Sequence, residues 1–192
     1  MIFRIIKTAE ISADDLRQCF CALSEREKQY ILNKSKPDVQ KNSLAGQFAV
    51  RKGLKELFGI ENPQILRQKI GKPYLKNNEV FFSVSHTADI VAVAFSEYPV
   101  GIDIEYPREY SKGVCRRMFN CEENLYAQKS NINFTKIWTL KEAAVKASGE
   151  GISAAKKYNF TFCGDQILSN TDNSRVTQRI EDNLIISVFE LI

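Results

Sequence analysis

One feature limits this chain more than any other: a succession of elements that occurs twice. Helix-forming stretches give way to β-rich stretches, and the same order then begins again after about residue 110. No long Pro/Gly/Ser linker separates the two passages. No sharp residue-level repeat accompanies the repeated order. Strands that follow one another closely across short turns pair antiparallel, and helices set apart from them cover one face. The sequence therefore predicts an α+β chain of two similar α/β lobes related by a pseudo-twofold axis. The division falls at 1–98 and 99–192, with a crevice between the lobes, and crevices at such boundaries are common ligand sites.

The local signals give this outline its detail. Residues 2–6 read as a strand. Ser12-Ala-Asp-Asp15 and Ser24-Glu-Arg-Glu27 have the spacing of capping boxes and predict two helix starts. Pro37 opens a longer helix that runs to Phe58, with Gly59 where a C-cap glycine belongs. A turn signal, Gly71-Lys72-Pro73, precedes two β-rich runs, Val80–Ser85 and Ile90–Phe95. They are joined by the hairpin loop His86-Thr-Ala-Asp89. A strand is expected over Val100–Glu105, then helices over 114–119, 122–128 and 133–148, then strands over 158–162, 175–180 and 184–191, with a turn at 170–174.

Composition removes several classes. Apolar residues make up 44% and charged residues 26%, which excludes disordered and collagen-like chains. The longest apolar runs are about six residues, against the ~20 that cross a bilayer. The opening residues, Met1–Lys7, lack the layout of a signal peptide, so a soluble, cytoplasmic protein is expected, with no membrane partner. Five cysteines, an odd number without a C-x-x-C pair, suggest neither a disulfide framework nor zinc, and a single histidine excludes a multi-histidine metal site. The net charge of +4 is uneven: residues 1–96 carry 15 Lys+Arg and 10 Asp+Glu, and residues 97–192 carry 12 and 13. The first half suits an anion, and the second holds carboxylates that suit a metal.

Five short constellations carry chemistry. In Gly101-Ile-Asp-Ile-Glu105, residues two apart on a strand share a face, so Asp103 and Glu105 point together. They form either a wet acidic edge or a pair that offers hard oxygens to Mg²⁺. In Trp138-Thr-Leu-Lys-Glu-Ala-Ala-Val-Lys146, Trp138, Glu142 and Lys146 line one face of a helix, with Lys141 beside them. They are either a surface Glu–Lys pair or a carboxylate and a lysine poised on a phosphate. Gly71-Lys72-Pro73 is a tight turn. Phe82-Ser-Val-Ser-His86 sets Ser85 and His86 at a hairpin corner, where a donor can meet a phosphate. Phe119-Asn-Cys-Glu-Glu123 sets Glu122 and Glu123 at a helix start, where they also suit the helix dipole.

In their order and spacing, G-K-P, F-S-V-S-H, G-I-D-I-E, F-x-x-x-E, W-x-x-K-E-A-x-x-K and G-x-G resemble the 4′-phosphopantetheinyl transferase superfamily, in its larger two-lobed type named after the surfactin synthetase activator. The motifs run from Gly71 to Gly151. The resemblance implies an enzyme that moves the phosphopantetheine arm of coenzyme A onto a serine of an acyl, polyketide or peptidyl carrier protein, an acidic partner, and releases 3′,5′-ADP. The metal it implies is Mg²⁺, with Mn²⁺ as the alternative, held by Asp103, Glu105 and Glu142, with Glu123 as a further carboxylate. Glu142 and Lys146 carry catalysis. Lys72, Pro73, Ser85, His86 and Lys141 fall in the region that holds coenzyme A. The first lobe is then the nucleotide side and the second the metal side of a monomer, with no nucleic-acid partner.

One departure from the family pattern stands out. An arginine early in the long helix often pairs with the 3′-phosphate; here the neighbourhood reads Gln40-Lys-Asn-Ser43, and no arginine follows until Arg51. Lys41 or Lys28 is the substitute, offering a point charge in place of a planar fork. This leaves open the selectivity for coenzyme A over its dephospho form. Two rival readings of the same residues are a Mg²⁺-dependent phosphohydrolase or nuclease and a non-catalytic binding module.

Overall fold

Side-chain caps and glycine stops set the helix limits. The computed structural model describes residues 1–77, 80–164 and 166–192. Strand β1 (Ile2–Lys7) leads through a short 3₁₀ turn to α1 (Ala13–Ala22) and α2 (Glu25–Leu32). Ser12 caps α1 by accepting the Asp15 N–H, and Ser24 with Glu27 forms a reciprocal capping box on α2. Helix α3 (Pro37–Phe58) has Pro37 in its first turn and ends on Gly59 in the left-handed conformation, φ 68°. The pair β2 (Ile65–Arg67) and β3 (Pro73–Leu75) follows, then β4 (Phe81–Thr87), β5 (Ile90–Ser96) and β6 (Val100–Glu105). Helices α4 (Lys112–Met118), α5 (Cys121–Ala127) and α6 (Asn131–Ser148) come next, and α6 too ends on a left-handed glycine, Gly149. The chain closes with β7 (Phe160–Cys163), β8 (Gln166–Ser169), β9 (Ser174–Glu181) and β10 (Leu184–Leu191).

Two expectations shift in detail. The β4–β5 strands extend through His86 and Thr87, so the turn is only Ala88-Asp89, with Ala88 at φ 46°. The sequence reading places the loop two residues too early because Ser85-His86-Thr87 is polar, while the ladder continues regardless. The pairings β2–β3 and β7–β8 were not foreseen; each involves strands of three or four residues, too short for an alternation signal.

All strand pairings among the described residues are antiparallel. One sheet has the order β1-β5-β4 and another the order β6-β10-β9. Each has the same plan: a first strand, a long helix, a small two-stranded sheet, then a hairpin whose last strand inserts in the middle. The middle strands are apolar throughout their buried lengths, except at Ser96, Ser187 and Glu190. Helix α3 packs Ala45, Ala49, Val50 and Leu54 against Val91, Val93 and Phe95 of β5. On the opposite face of β5, Ile90, Ala92 and Ala94 meet Ile102, Ile104, Ile186 and Val188 of the other sheet. Helix α6 covers the far side of that sheet with Ile137, Leu140, Ala143, Ala144 and Ala147. The result is mixed α and β in layers, with burial on both faces of each middle strand.

The sheets also meet edge to edge. Strands β4 and β6 run in the same direction, and the Ile102 and Ile104 N–H groups donate to Ser83 Oγ (3.1 Å) and Ser85 Oγ (3.3 Å). Serine hydroxyls thus take the place of a backbone ladder between these two strands.

Candidate functional site

A cleft of about 350 Å³ is walled on one side by α3, the β2–β3 turn and β4, and on the other by the last turns of α6. Lys72, Pro73 and His86 line it from the first half, and Glu142, Lys146, Gly149 and Gly151 from the second. A shallower hollow shares Val84, His86, Glu142 and Lys146 with the cleft and adds Ser85, Asp103, Glu105, Arg108 and Trp138. Six of the residues singled out by motif, Ser85, His86, Asp103, Glu105, Glu142 and Lys146, therefore border a single depression.

Strand β6 delivers the carboxylates. Asp103 is buried; its Oδ1 accepts from Ser85 Oγ and from Lys146 Nζ, both at 2.7 Å. Glu105 Oε1 accepts from Thr87 Oγ1 at 2.6 Å, and Oε2 lies 3.8 Å from Arg108. Helix α6 delivers the rest of the hollow. Lys146 does not pair with Glu142 one turn earlier; it reaches across to Asp103 and to the Ile102 carbonyl at 3.0 Å. Glu142 makes no hydrogen bond or ion pair among the described residues. Burial pushes its carboxyl above the usual range, and the Asp103 charge adds to this, opposed by Lys146 and Arg108.

The anion-facing groups come from the other wall. Lys72 Nζ donates to the Ala147 carbonyl at 2.7 Å, tying the Gly71-Lys72-Pro73 turn to the end of α6, and burial lowers its pKa to about 8. Desolvation lowers the His86 pKa too, reinforced by the Lys146 charge and opposed by Asp103. Arg67 also lines the cleft; its guanidinium lies 3.6 Å from the Tyr30 ring centroid and donates to the Gly71 carbonyl at 2.8 Å. The motif search passed over Arg67 and Tyr30. The available signal was an arginine four residues before the glycine of the G-K-P turn.

Four residues from the sequence reading lie elsewhere. Lys28 pairs with Glu25 at 2.8 Å, and Lys41 is exposed; neither lines the cleft. Lys141 and Glu123 are fully buried and bonded to each other at 2.8 Å. Lys141 also donates to the Tyr158 carbonyl, and Glu123 accepts the Phe160 and Asn120 N–H groups, each at 2.8 Å. Trp138, Glu142 and Lys146 share one side of α6, but Lys141 is turned into the core, because α6 has apolar neighbours on most of its circumference. A buried pair so thoroughly bonded is a structural clamp between α5, α6 and β7, and removing one partner strands the other charge.

The donor set suits a hard dication in chemistry: three carboxylates around one hollow, one of them unpaired and electrostatically strained by another. Among the described residues, however, no three His, Cys, Asp or Glu side chains are gathered closely enough to cage an ion, and Lys146 occupies Asp103 Oδ1. No helix among the described residues is long and apolar enough to cross a membrane.

Comparison with known proteins bears on the same residues. Residues 99–187 match the family model of the 4′-phosphopantetheinyl transferase superfamily, and residues 10–98 match the model of the 4′-phosphopantetheinyl transferase N-terminal region. The 4′-phosphopantetheinyl transferase gsp of Aneurinibacillus migulanus is 36% identical over 117 residues, 57% of this chain and 49% of that protein. The 4′-phosphopantetheinyl transferase psf-1 of Bacillus pumilus is 31% identical over 121 residues, 59% of this chain and 52% of that protein. The transferase Sfp of Bacillus subtilis (strain 168) is 29% identical over 119 residues, 58% of this chain and 53% of that protein. The matched stretch spans about half the length of these relatives.

Proposed function

The chain belongs to the 4′-phosphopantetheinyl transferase superfamily, and from that premise we propose that it transfers the 4′-phosphopantetheine arm of coenzyme A to a serine of an apo acyl, polyketide or peptidyl carrier protein, in the cytoplasm and as a monomer. The observation that carries the reading is the joining of a cleft lined by the cations Arg67 and Lys72 to a carboxylate-lined hollow through shared Glu142, Lys146 and His86.

In the proposed reaction the serine oxygen attacks the phosphorus that bears the pantetheine arm. The new O–P bond forms as the bond to the departing 3′,5′-ADP breaks. Glu142, which has no hydrogen-bond partner among the described residues, takes the serine proton, directly or through water, where it does not itself ligate the metal. Lys146 leaves Asp103 to meet the diphosphate charge, and Lys72 and His86 hold the nucleotide portion. Asp103, Glu105 and Glu142 would hold Mg²⁺ or Mn²⁺, which when bound offsets negative charge on the diphosphate. Arg67, stacked by Tyr30, takes the place proposed for Lys28 or Lys41 as the partner of the 3′-phosphate. The basic first half would dock the acidic carrier.

We further propose that 1–98 and 99–192 are pseudo-twofold lobes, with the cleft as the crevice between them. Support comes from positions that correspond once the hairpin-closing pairs Thr87–Ile90 and Glu181–Leu184 are matched. Ser96 and Glu190 then correspond, and they bond to each other at 2.5 Å, as residues beside a twofold axis do. Matching the paired strands puts Arg4 opposite the place of Asp103, and matching Gly59 with Gly149 puts Glu56 at the place of Lys146. Arg4 and Glu56 are an ion pair, as Asp103 and Lys146 are, with the charges exchanged. The two family models also meet between residues 98 and 99.

The test is product analysis. With coenzyme A, Mg²⁺ and an apo carrier protein, 3′,5′-ADP should accumulate in proportion to carrier; release without any carrier would support a phosphohydrolase and overturn the transferase reading.

A further inference from the structure

Strand β4 aims Ser83, Ser85 and Thr87 at β6, since they alternate along it. Among the described residues Ser83 only receives the Ile102 N–H, but the next two hydroxyls each donate to a carboxylate: Ser85 to Asp103 Oδ1 and Thr87 to Glu105 Oε1. One oxygen of each carboxylate is thereby held. The other is offered: Asp103 Oδ2 has no hydrogen bond among the described residues, and Glu105 Oε2 has only Arg108, at 3.8 Å. The two carboxylates are not equally secured. Asp103 has Lys146 as well as Ser85, whereas Glu105 ends its strand with Thr87 as its sole side-chain hydrogen bond among the described residues. Thr87 is itself well fixed. It closes a two-residue turn whose Ala88 carbonyl accepts from Asn42 Nδ2 at 2.7 Å and whose Asp89 carbonyl accepts from the Thr8 N–H at 2.7 Å.

We propose that Thr87 is a positioning residue: its hydroxyl fixes the Glu105 carboxylate so that Oε2 faces the hollow ready for a divalent cation. The inference rests on the metal reading of Asp103, Glu105 and Glu142 given above. A hydroxyl that orients a metal-binding carboxylate raises metal affinity without touching the metal, and its loss typically costs ten- to a hundredfold. Valine has the shape of threonine without the donor, so Thr87→Val removes the hydrogen bond and little else.

The probe is Mn²⁺, titrated into the full chain with coenzyme A present, with free ion read by electron paramagnetic resonance. Thr87→Val should weaken Mn²⁺ about ten- to a hundredfold, and Thr87→Ser, which keeps the hydroxyl, should stay within about threefold of wild type. In a Glu105→Gln background, adding Thr87→Val should cause no further loss. If Thr87→Val melts early, Thr87→Ala serves in the same titration. A variant lacking the hydroxyl that binds Mn²⁺ like wild type overturns the inference alone, as does an undiminished loss in the Glu105→Gln background. A wild-type chain that takes up no Mn²⁺ overturns the metal reading and this inference with it.

Discussion

Gly101 is the position at which fold and site are most tightly joined. Strand β6 passes so close to α6 that a methyl group at Gly101 would run into the Ala143 carbonyl oxygen and lie 2.5 Å from Ala147 N. Both obstacles are backbone, so no side chain can swing aside. Restoring ordinary contact requires helix and strand to part by about 1.5 Å. The interface is buried on both sides, with Ile102, Ile137, Ala143 and Ala144 at 0% exposure. Overpacking of this kind costs about 1–3 kcal/mol, so Gly101→Ala should lower the melting temperature by roughly 2–12 °C for a chain of this size. The same movement carries Glu142 and Lys146 away from Asp103, and a 1 Å displacement of reacting groups lowers turnover by about a hundredfold. Urea and thermal unfolding together with a transfer assay measure both effects. For the unfolding measurement Gly46→Ala is the comparison: there the new methyl meets Val84 Cγ1 at 3.2 Å, a side chain that can give way, and α3 gains a better helix former. A Gly101→Ala protein that melts within 1 °C of wild type and keeps full activity would refute the packing argument.

Other substitutions separate stability from chemistry. Lys146→Ala should cost about 1–3 kcal/mol by leaving Asp103 short of a charged partner, and should lower transfer about a hundred- to a thousandfold even at temperatures where the variant is fully folded; Glu142→Gln should match the rate loss, and near wild-type transfer in either would refute the assigned roles. Arg67→Ala should weaken coenzyme A binding about tenfold or more while leaving dephospho-coenzyme A nearly unchanged; equal loss for both ligands in calorimetric titrations would remove the 3′-phosphate from Arg67. Lys72, with its pKa lowered to about 8, is partly neutral just above that pH in the free protein, and an anionic ligand favours its charged form. Binding of coenzyme A at pH 8.5 should therefore take up protons, seen as a dependence of the measured enthalpy on the buffer's ionisation heat; the absence of uptake, or uptake unchanged in Lys72→Met, would contradict it.

The elements that could be read in the sequence were those with chemical punctuation. Ser12, Ser24, Pro37, Gly59 and Gly149 mark helix limits through caps and left-handed stops, and those limits hold. The D-x-E pair and the Trp138–Lys146 face were legible as motifs, and the structure brings both to one hollow. Side-chain direction was not legible for Lys141, because α6 is apolar on most sides and gives no polar face to orient it. Nor was the partner of Lys146: spacing along a helix favours Glu142, whereas the partner, Asp103, comes from a strand 43 residues away in sequence. The repeated strand order left no residue-level trace for a related reason. Under the proposed pseudo-twofold relation, the places of Asp103 and Lys146 in the second passage are taken in the first by Arg4 and Glu56, another ion pair. An exchanged ion pair preserves the attraction between strand and helix while erasing the identity of the residues.

The most direct test is the intact mass of an apo carrier protein after incubation with this chain, coenzyme A and Mg²⁺, beside the same incubation with Asp103→Ala. The account predicts that the carrier gains the mass of one phosphopantetheine per chain with the wild-type protein and none with the variant, assayed at a temperature where the variant remains fully folded. An unchanged carrier mass across acyl, polyketide and peptidyl carriers, or full modification by Asp103→Ala, would contradict it.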